Sequence, residues 1–300
     1  MGGQESSSIG MEDALEIFYL DNQSRRLTPA TQRFYRVSLT IVHTWFIQQG
    51  IARLDQVSAH HIRTFLAQRQ EAGLATYTQH KYARVLRTFF NFCVREELIA
   101  KSPMATVTMP RVEKKLPTSF TEAEAQAILD ACTTERDRAL VLVLLDTGVR
   151  AAEVLALNVG DVDLKHGAVL VRLGKGQKQR TVYLGLKARK QLIKYISQAG
   201  ISVADSPLFL SGKTGGRLTL GGLAHFMARL RKRTGIPHLS AHTFRRTFAL
   251  WSLRSGMSIY HLQRLMGHED IKVLQHYLGL VETDLRKAHE QHGTVDAFLR

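Results

Sequence analysis

Ala139-Leu-Val-Leu-Val-Leu-Leu145-Asp146-Thr147-Gly148-Val149-Arg150-Ala151-Ala152-Glu153 is the stretch on which the fold turns. Seven consecutive apolar residues leave a helix here with no polar face, so it belongs at the centre of a core. Gly148 supplies a turn at its end, Arg150 follows at once, and Glu153 stands one helical turn beyond the arginine. An arginine delivered by a core helix is costly unless it has a partner or a task. An Arg150 to Glu153 ion pair is a sufficient structural explanation for these residues taken alone.

Upstream, Phe120-Thr121-Glu-Ala-Glu124 has the form of a capping box, Thr at the N-cap and Glu at N3, and opens the domain that holds this helix. Downstream, Ala168 to Arg172 and Gln179 to Leu184 are short β-branched runs separated by Gly174-Lys175-Gly176-Gln177-Lys178, a hairpin with a basic tip. From Lys187 onward the period is mostly helical, with an edge strand expected at Leu208 to Leu210.

The chain of 300 residues is long enough for two domains, and 44% hydrophobic with 22% charged residues is a globular composition, not a disordered one. Its longest apolar run falls far short of the ~18–20 residues of a membrane span, and no basic segment leads into an apolar one at the start. Cys93 and Cys132 lack the spacings of a zinc site or a disulfide scaffold, which fits a reducing, cytoplasmic setting. The largest deviation is charge: 41 Lys and Arg against 26 Asp and Glu give +15. Residues 1–116 hold 15 basic and 10 acidic residues and residues 117–300 hold 26 and 16. Excess spread over both halves suits a long polyanion, so nucleic acid is the expected partner; a membrane-binding chain would concentrate it on one amphipathic element.

The first half reads as four helices. Ala14, Ile17, Phe18 and Leu20 mark a short one; Thr28-Pro29 caps a second carrying Tyr35, Leu39, Val42, Trp45 and Phe46 up to Gly50. Val57-Ser58 opens a third with Ile62, Phe65 and Leu66, ending near Gly73. Thr76 is expected to cap a fourth with Tyr82, Val85, Leu86, Phe89, Phe90 and Cys93. Arg84, Arg87, Asn91 and Arg95 form a second stripe along that fourth helix, either a solvated face or a surface laid along a phosphate backbone. Thr108 to Thr118 combines two prolines with basic residues and no periodicity, and reads as an interdomain linker.

Several apparent motifs fail. Ser211-Gly-Lys-Thr214 ends like a P-loop, but Pro207 stands where its first glycine is needed. His238 and His242 lack the intervening glutamate of a zinc protease helix, and His289-Glu290 meets His292 one residue too early. Two fragments remain beside Arg150. In Ser240-Ala-His242-Thr-Phe244-Arg245-Arg246-Thr-Phe248, His242 and Arg245 share one helical face and Phe244, Phe248 and Trp251 the other. Leu265-Met-Gly267-His268-Glu-Asp270 is a turn into a helix, with Tyr277 nine residues past the histidine.

Arg150 after Thr-Gly-Val, Lys175 in a Gly-Lys-Gly tip, His242-x-x-Arg245, Leu-Met-Gly-His268 and Tyr277, in that order, resemble the tyrosine recombinase (phage integrase) family, over residues 117–290. The four-helix segment is similar to that family's core-binding domain, and the whole is most like Xer-type and simple integrases. Arg246 and Ala151-Ala152 depart from the commoner pattern without touching a catalytic position, and Tyr277-Leu-Gly-Leu280 differs from the commoner continuation after the nucleophile. The resemblance implies a mainly α fold with a small antiparallel β-sheet: a flexible N-terminus at 1–10, a SAM-like core-binding domain at 11–107, a linker at 108–118, an α+β catalytic domain at 119–292, and a tail at 293–300. It also implies a clamp around double-stranded DNA with specific recombination sites, a homotetramer on DNA, no membrane association and no cofactor or metal.

On that resemblance Tyr277 attacks the phosphorus to give a 3′-phosphotyrosyl enzyme, Arg150 and Arg245 bind the non-bridging oxygens, His242 and His268 hydrogen-bond the phosphate or take the nucleophile's proton, and Lys175 protonates the leaving 5′ oxygen. A type IB topoisomerase would share the nucleophile but act as a monomer without defined sites. An architectural protein would lack at least one of the six residues. Val295, Phe298 and Leu299 put apolar side chains near the chain end, either tucked into their own domain or docked on a neighbouring protomer.

Overall fold

A computed structural model describes residues 9–112, 118–172 and 179–267. The chain divides into two compact units, Met1–Lys115 and Leu116–Arg300. The first is all helical: α1 (Met11–Ser24), α2 (Pro29–Gln48), α3 (Ala59–Glu71) and α4 (Thr76–Arg95). The Thr28 side chain accepts from Thr31 N with Pro29 in the first turn, and Ser58 accepts from His61 N, so both expected caps form. Thr76 is not a cap. It is the first helical residue, because Ala75 O already accepts from Thr78 N at 2.8 Å and Gln79 N at 3.2 Å, and the Gln79 side chain holds Leu74 O at 2.9 Å.

Aromatic side chains fill the space between these helices. The Phe18 ring meets Tyr35, Phe89 and Phe92 edge-on with centroids 5.3, 5.5 and 5.1 Å away, and Trp45 Nε1 donates to Gln68 Oε1 at 2.7 Å from an otherwise apolar position.

The second unit is built around α6 (Glu135–Thr147), which follows α5 (Glu122–Asp130) and precedes α7 (Ala151–Ala156). Strands β1 (Ala168–Val171) and β2 (Arg180–Tyr183) pair antiparallel, Ala168 opposite Tyr183 and Val171 opposite Arg180. Helices α8 (Leu186–Ala199), α9 (Leu220–Thr234), α10 (Ala241–Arg254) and α11 (Ile259–Met266) complete it. The all-apolar helix takes the central place its composition requires: α6 packs on α5, α8, α10 and β2, with Ala139, Leu140, Val141 and Leu144 fully buried. The capping box at Thr121 and Glu124 forms, with Thr121 N on Glu124 Oε2 at 2.8 Å and Glu124 N on Thr121 Oγ1 at 3.2 Å.

Leu208 to Leu210 forms no strand. Leu208 N bonds Leu157 O while Phe209 O accepts from Leu218 N, so successive residues turn to different partners and leave only isolated bridges, Asn158 with Pro207 and Leu210 with Arg217. Among the described residues no helix is long and apolar enough to cross a membrane.

Phe18→Ala removes four ring contacts, three of them edge-on, at a position 1% exposed and is expected to destabilise the first unit by about 3–5 kcal/mol. In a Trp251→Phe background Trp45 is the sole tryptophan, and its fluorescence midpoint in urea measures the loss; an unchanged midpoint contradicts the packing described.

Candidate active site

Gly148 ends α6 in the left-handed region at φ 59°, and a Cβ there would lie 2.2 Å from Cδ1 of Phe248 on α10. Only glycine lets α10 approach this closely while the chain reverses, so Arg150 starts α7 beside α10. Its backbone N donates to Glu153 Oε2 at 2.8 Å and its Nη1 to Glu153 Oε1 at 2.8 Å, which is the ion pair expected from spacing. The guanidinium remains about one-third exposed, and Nη2 reaches Gly267 O at 3.3 Å.

Arg245 comes from the buried side of α10 and is 5% exposed. Its Nη1 donates to Gly148 O at 2.7 Å and its Nη2 to Met266 O at 2.6 Å. Arg150 and Arg245 therefore meet at the C-terminal end of α11, where Gly267 caps the helix at φ 62° and its carbonyls carry the negative end of the helix dipole.

A third arginine, absent from the sequence reading, completes the arrangement. Arg180, the first residue of β2, grips Glu153 with both arms, Nη1 to Oε1 at 2.9 Å and Nη2 to Oε2 at 2.7 Å, and gives Nε to Leu265 O at 2.7 Å. Nothing local marks it, since residues 153 and 180 are brought together only by the hairpin. Burial pushes the Glu153 carboxyl up, but the Arg180 hydrogen bonds and charge, with the backbone N–H and guanidinium of Arg150, override it and hold the pKa at about 2.

His242, one turn before Arg245, keeps part of its ring in solvent; burial of the rest, then Arg246 and Arg245, lower its pKa from the ordinary histidine value. The lowered pKa favours the neutral ring, the form able to accept a proton. Lys175, His268 and Tyr277 lie outside the described residues, as do the segment 293–300 and residues 113–117 of the expected linker. The described chain stops at Gly267, immediately before His268, and the hairpin is described up to Arg172 and again from Gln179.

On α4, Arg84 and Asn91 are exposed as expected of a solvated or contact face. Arg87 is half-buried and donates to Val107 O at 3.2 Å, while Arg95 is tied to Asp21 at 3.3 Å and Glu96 at 3.0 Å and lies over the Phe92 ring. Among the described residues no three His, Cys, Asp or Glu side chains gather in a way that could hold a metal ion.

The model of the phage integrase family matches residues 118–283, and that of the phage integrase N-terminal SAM-like domain matches residues 18–97. The chain belongs to the phage integrase family of tyrosine recombinases. It is 32% identical over 257 residues to tyrosine recombinase XerC of Bacillus pumilus, covering 81% of this chain and 84% of that one. With tyrosine recombinase XerD of Proteus mirabilis it shares 29% over 305 residues, 96% and 94% of the two chains. Among solved structures, the fold is like that of lambda integrase in a dimer bound to a COC′ core site, with TM-score 0.74, 18% identity and coverage of 90% and 77%. It is also like the Tn1549 transposon integrase in complex with transposon right-end DNA, with TM-score 0.75, 17% identity and coverage of 94% and 99%.

Because its folded pKa lies below the ordinary value of ~6.5, His242 contributes stability that is complete above that value and is lost as the pH falls through the lower folded one. An NMR titration of its ring in the DNA-free protein should show a midpoint under ~6.5, and Arg246→Ala, by removing one repelling charge, should move it upward. A midpoint at or above the free value contradicts the environment described.

Proposed function

We propose that this site-specific DNA recombinase cuts and rejoins DNA through Tyr277, with the phosphate held by Arg150 and Arg245. The observation that carries the reading is the convergence of those two guanidiniums on the end of α11, one residue before His268 and ten before Tyr277. Phosphoryl transfer needs positioning and charge stabilisation more than covalent help. Two planar guanidiniums can donate paired hydrogen bonds to the non-bridging oxygens, supplying the charge that a divalent ion supplies elsewhere.

In the forward step the Tyr277 oxygen bonds to phosphorus and the bond from phosphorus to the 5′ oxygen breaks. The phenolic proton passes to His242 or His268, and Lys175 donates one to the departing oxygen. The ester so formed conserves the bond energy, and a 5′-hydroxyl of a partner strand reverses the step, so no ATP is consumed. Double-stranded DNA is the partner; Arg84, Arg87 and Asn91 are offered as backbone contacts, with Arg95 weaker because Asp21 and Glu96 share its charge. Relatives named as recombinases do not favour a topoisomerase or a non-catalytic protein.

The domain limits follow the same reading, with residues 11–107 and 119–292 closing on DNA across the 108–118 linker and four protomers assembling on two sites. The 293–300 tail docks on a neighbour in that assembly, coupling the sites.

A duplex enriched by the wild-type chain from a random-sequence pool, nicked to trap cleavage, provides the test. The wild type should form a covalent adduct that survives excess EDTA, and Tyr277→Phe should bind the duplex and form none. An adduct with the Phe variant, or loss of the wild-type adduct restored only by a divalent ion, overturns the reading. Arg150→Ala or Arg245→Ala should slow adduct formation by roughly 10²–10³ or more.

Deleting residues 294–300 should leave binding to one site intact while synapsis and strand exchange fall sharply. Full-rate recombination, or unfolding, would sink the docking of the tail in trans.

A further inference from the structure

Glu153 is nearly surrounded by its two arginines, with a side chain only 2% exposed. Oε1 accepts from Arg150 Nη1 and Arg180 Nη1, and Oε2 accepts from the Arg150 backbone N and Arg180 Nη2. All the strong acceptor directions of this carboxylate are thus occupied, and Arg180 fills two of them with a bidentate fork.

Arg180 is itself fixed. Its side chain is 11% exposed, its Nε caps Leu265 O, and a Cβ placed on Gly267 would lie 3.1–3.2 Å from its Cδ, Nε and Nη1. One side chain on the strand that returns from the Lys175 tip therefore touches both the partner of Arg150 and the helix end that leads to His268.

We propose that Arg180 is a positioning residue for strand cleavage: by satisfying Glu153 and packing on Gly267, it keeps Arg150 turned towards the phosphate and the α11 end in register with it. The inference rests on the reading of Arg150 and Tyr277 given above and adds a residue to it. Without Arg180 the buried carboxylate has only Arg150 to neutralise it, and it draws that guanidinium into a fork of its own. Arg150 then remains folded into the site but presents fewer donors to the DNA. The damage comes from the unmatched carboxylate, so removing the carboxylate's charge as well should undo much of it.

The experiment uses the full chain and the trapped duplex described above, with single-turnover adduct formation, equilibrium binding and thermal melting measured side by side. Arg180→Gln should slow adduct formation by about a hundredfold, the scale of a misplaced catalytic group, with binding changed no more than about threefold because most backbone contacts persist. The double variant Glu153→Gln with Arg180→Gln should react at least about tenfold faster than Arg180→Gln alone, a non-additivity that mere loss of packing does not produce. Arg180→Lys, which keeps the charge and loses the fork, should fall between wild type and Arg180→Gln, and it serves as the reporter if the Gln variant does not fold.

A double variant no faster than the single one overturns the proposal, as does an Arg180→Gln or Arg180→Lys protein reacting at the wild-type rate. A wild-type chain that forms no adduct overturns instead the assignment of Tyr277 on which the inference rests.

Discussion

A single buried carboxylate organises the second unit. Taking Glu153 out of water costs several kcal/mol, and that cost is offset only if its partners arrive together. Those partners are the first residue of β2 and the residue just before α7, and both arginines also hold carbonyls at the end of α11. Hairpin, core turn and α11 are therefore locked to one another by a network in which a missing member costs more than its own hydrogen bonds. The sign of the pKa shift agrees: a carboxyl held at about 2 stabilises the fold above the ordinary glutamate value and loses that contribution as the pH falls towards 2.

Two left-handed glycines give the network its geometry. Gly148 and Gly267 each terminate a helix, and each offers its carbonyl to an arginine from elsewhere, Gly148 O to Arg245 and Gly267 O to Arg150. Helix ends with unsatisfied carbonyls attract cations. Here that attraction fixes the orientation of both guanidiniums within the protein itself, and on the reading proposed for the site less reorganisation is left for the reaction. Arg150 has five side-chain N–H donors, and its bonds to Glu153 and Gly267 use two of them while holding the guanidinium plane.

The sequence reveals the parts of this that repeat locally. Thr28, Ser58, Thr121 and Ser240 cap their helices because a hydroxyl before a helical run has a nearby backbone N–H to accept from. Thr76 fails because such a hydroxyl one residue late is already inside the helix. Arg150 to Glu153 and His242 to Arg245 are legible because each pair lies within one helical turn. Arg180 is not legible, since 27 positions separate it from Glu153 and only the hairpin register joins them. The strand expected at Leu208 to Leu210 fails for a related reason: β-branched or apolar character marks a segment that can pair but does not say whether consecutive residues find the same partner.

Net charge pointed to a polyanion, yet several of the arginines behind it are tied to partners within the second unit, some of them while still exposed, as Arg172 and Arg217 are. Arg136 binds Leu210 O and Asp137, Arg217 binds Leu155 O and Leu157 O, Arg172 pairs with Asp161, and Arg180 and Arg245 are buried at the α11 end. Arg217 and Arg245 hold backbone carbonyls, neutral acceptors that leave the guanidinium charge in place. Arg136, Arg172 and Arg180 are offset by the carboxylates of Asp137, Asp161 and Glu153. A chain of this kind gains stability when the anion binds, so the charge excess belongs as much to the internal architecture as to the surface that meets DNA.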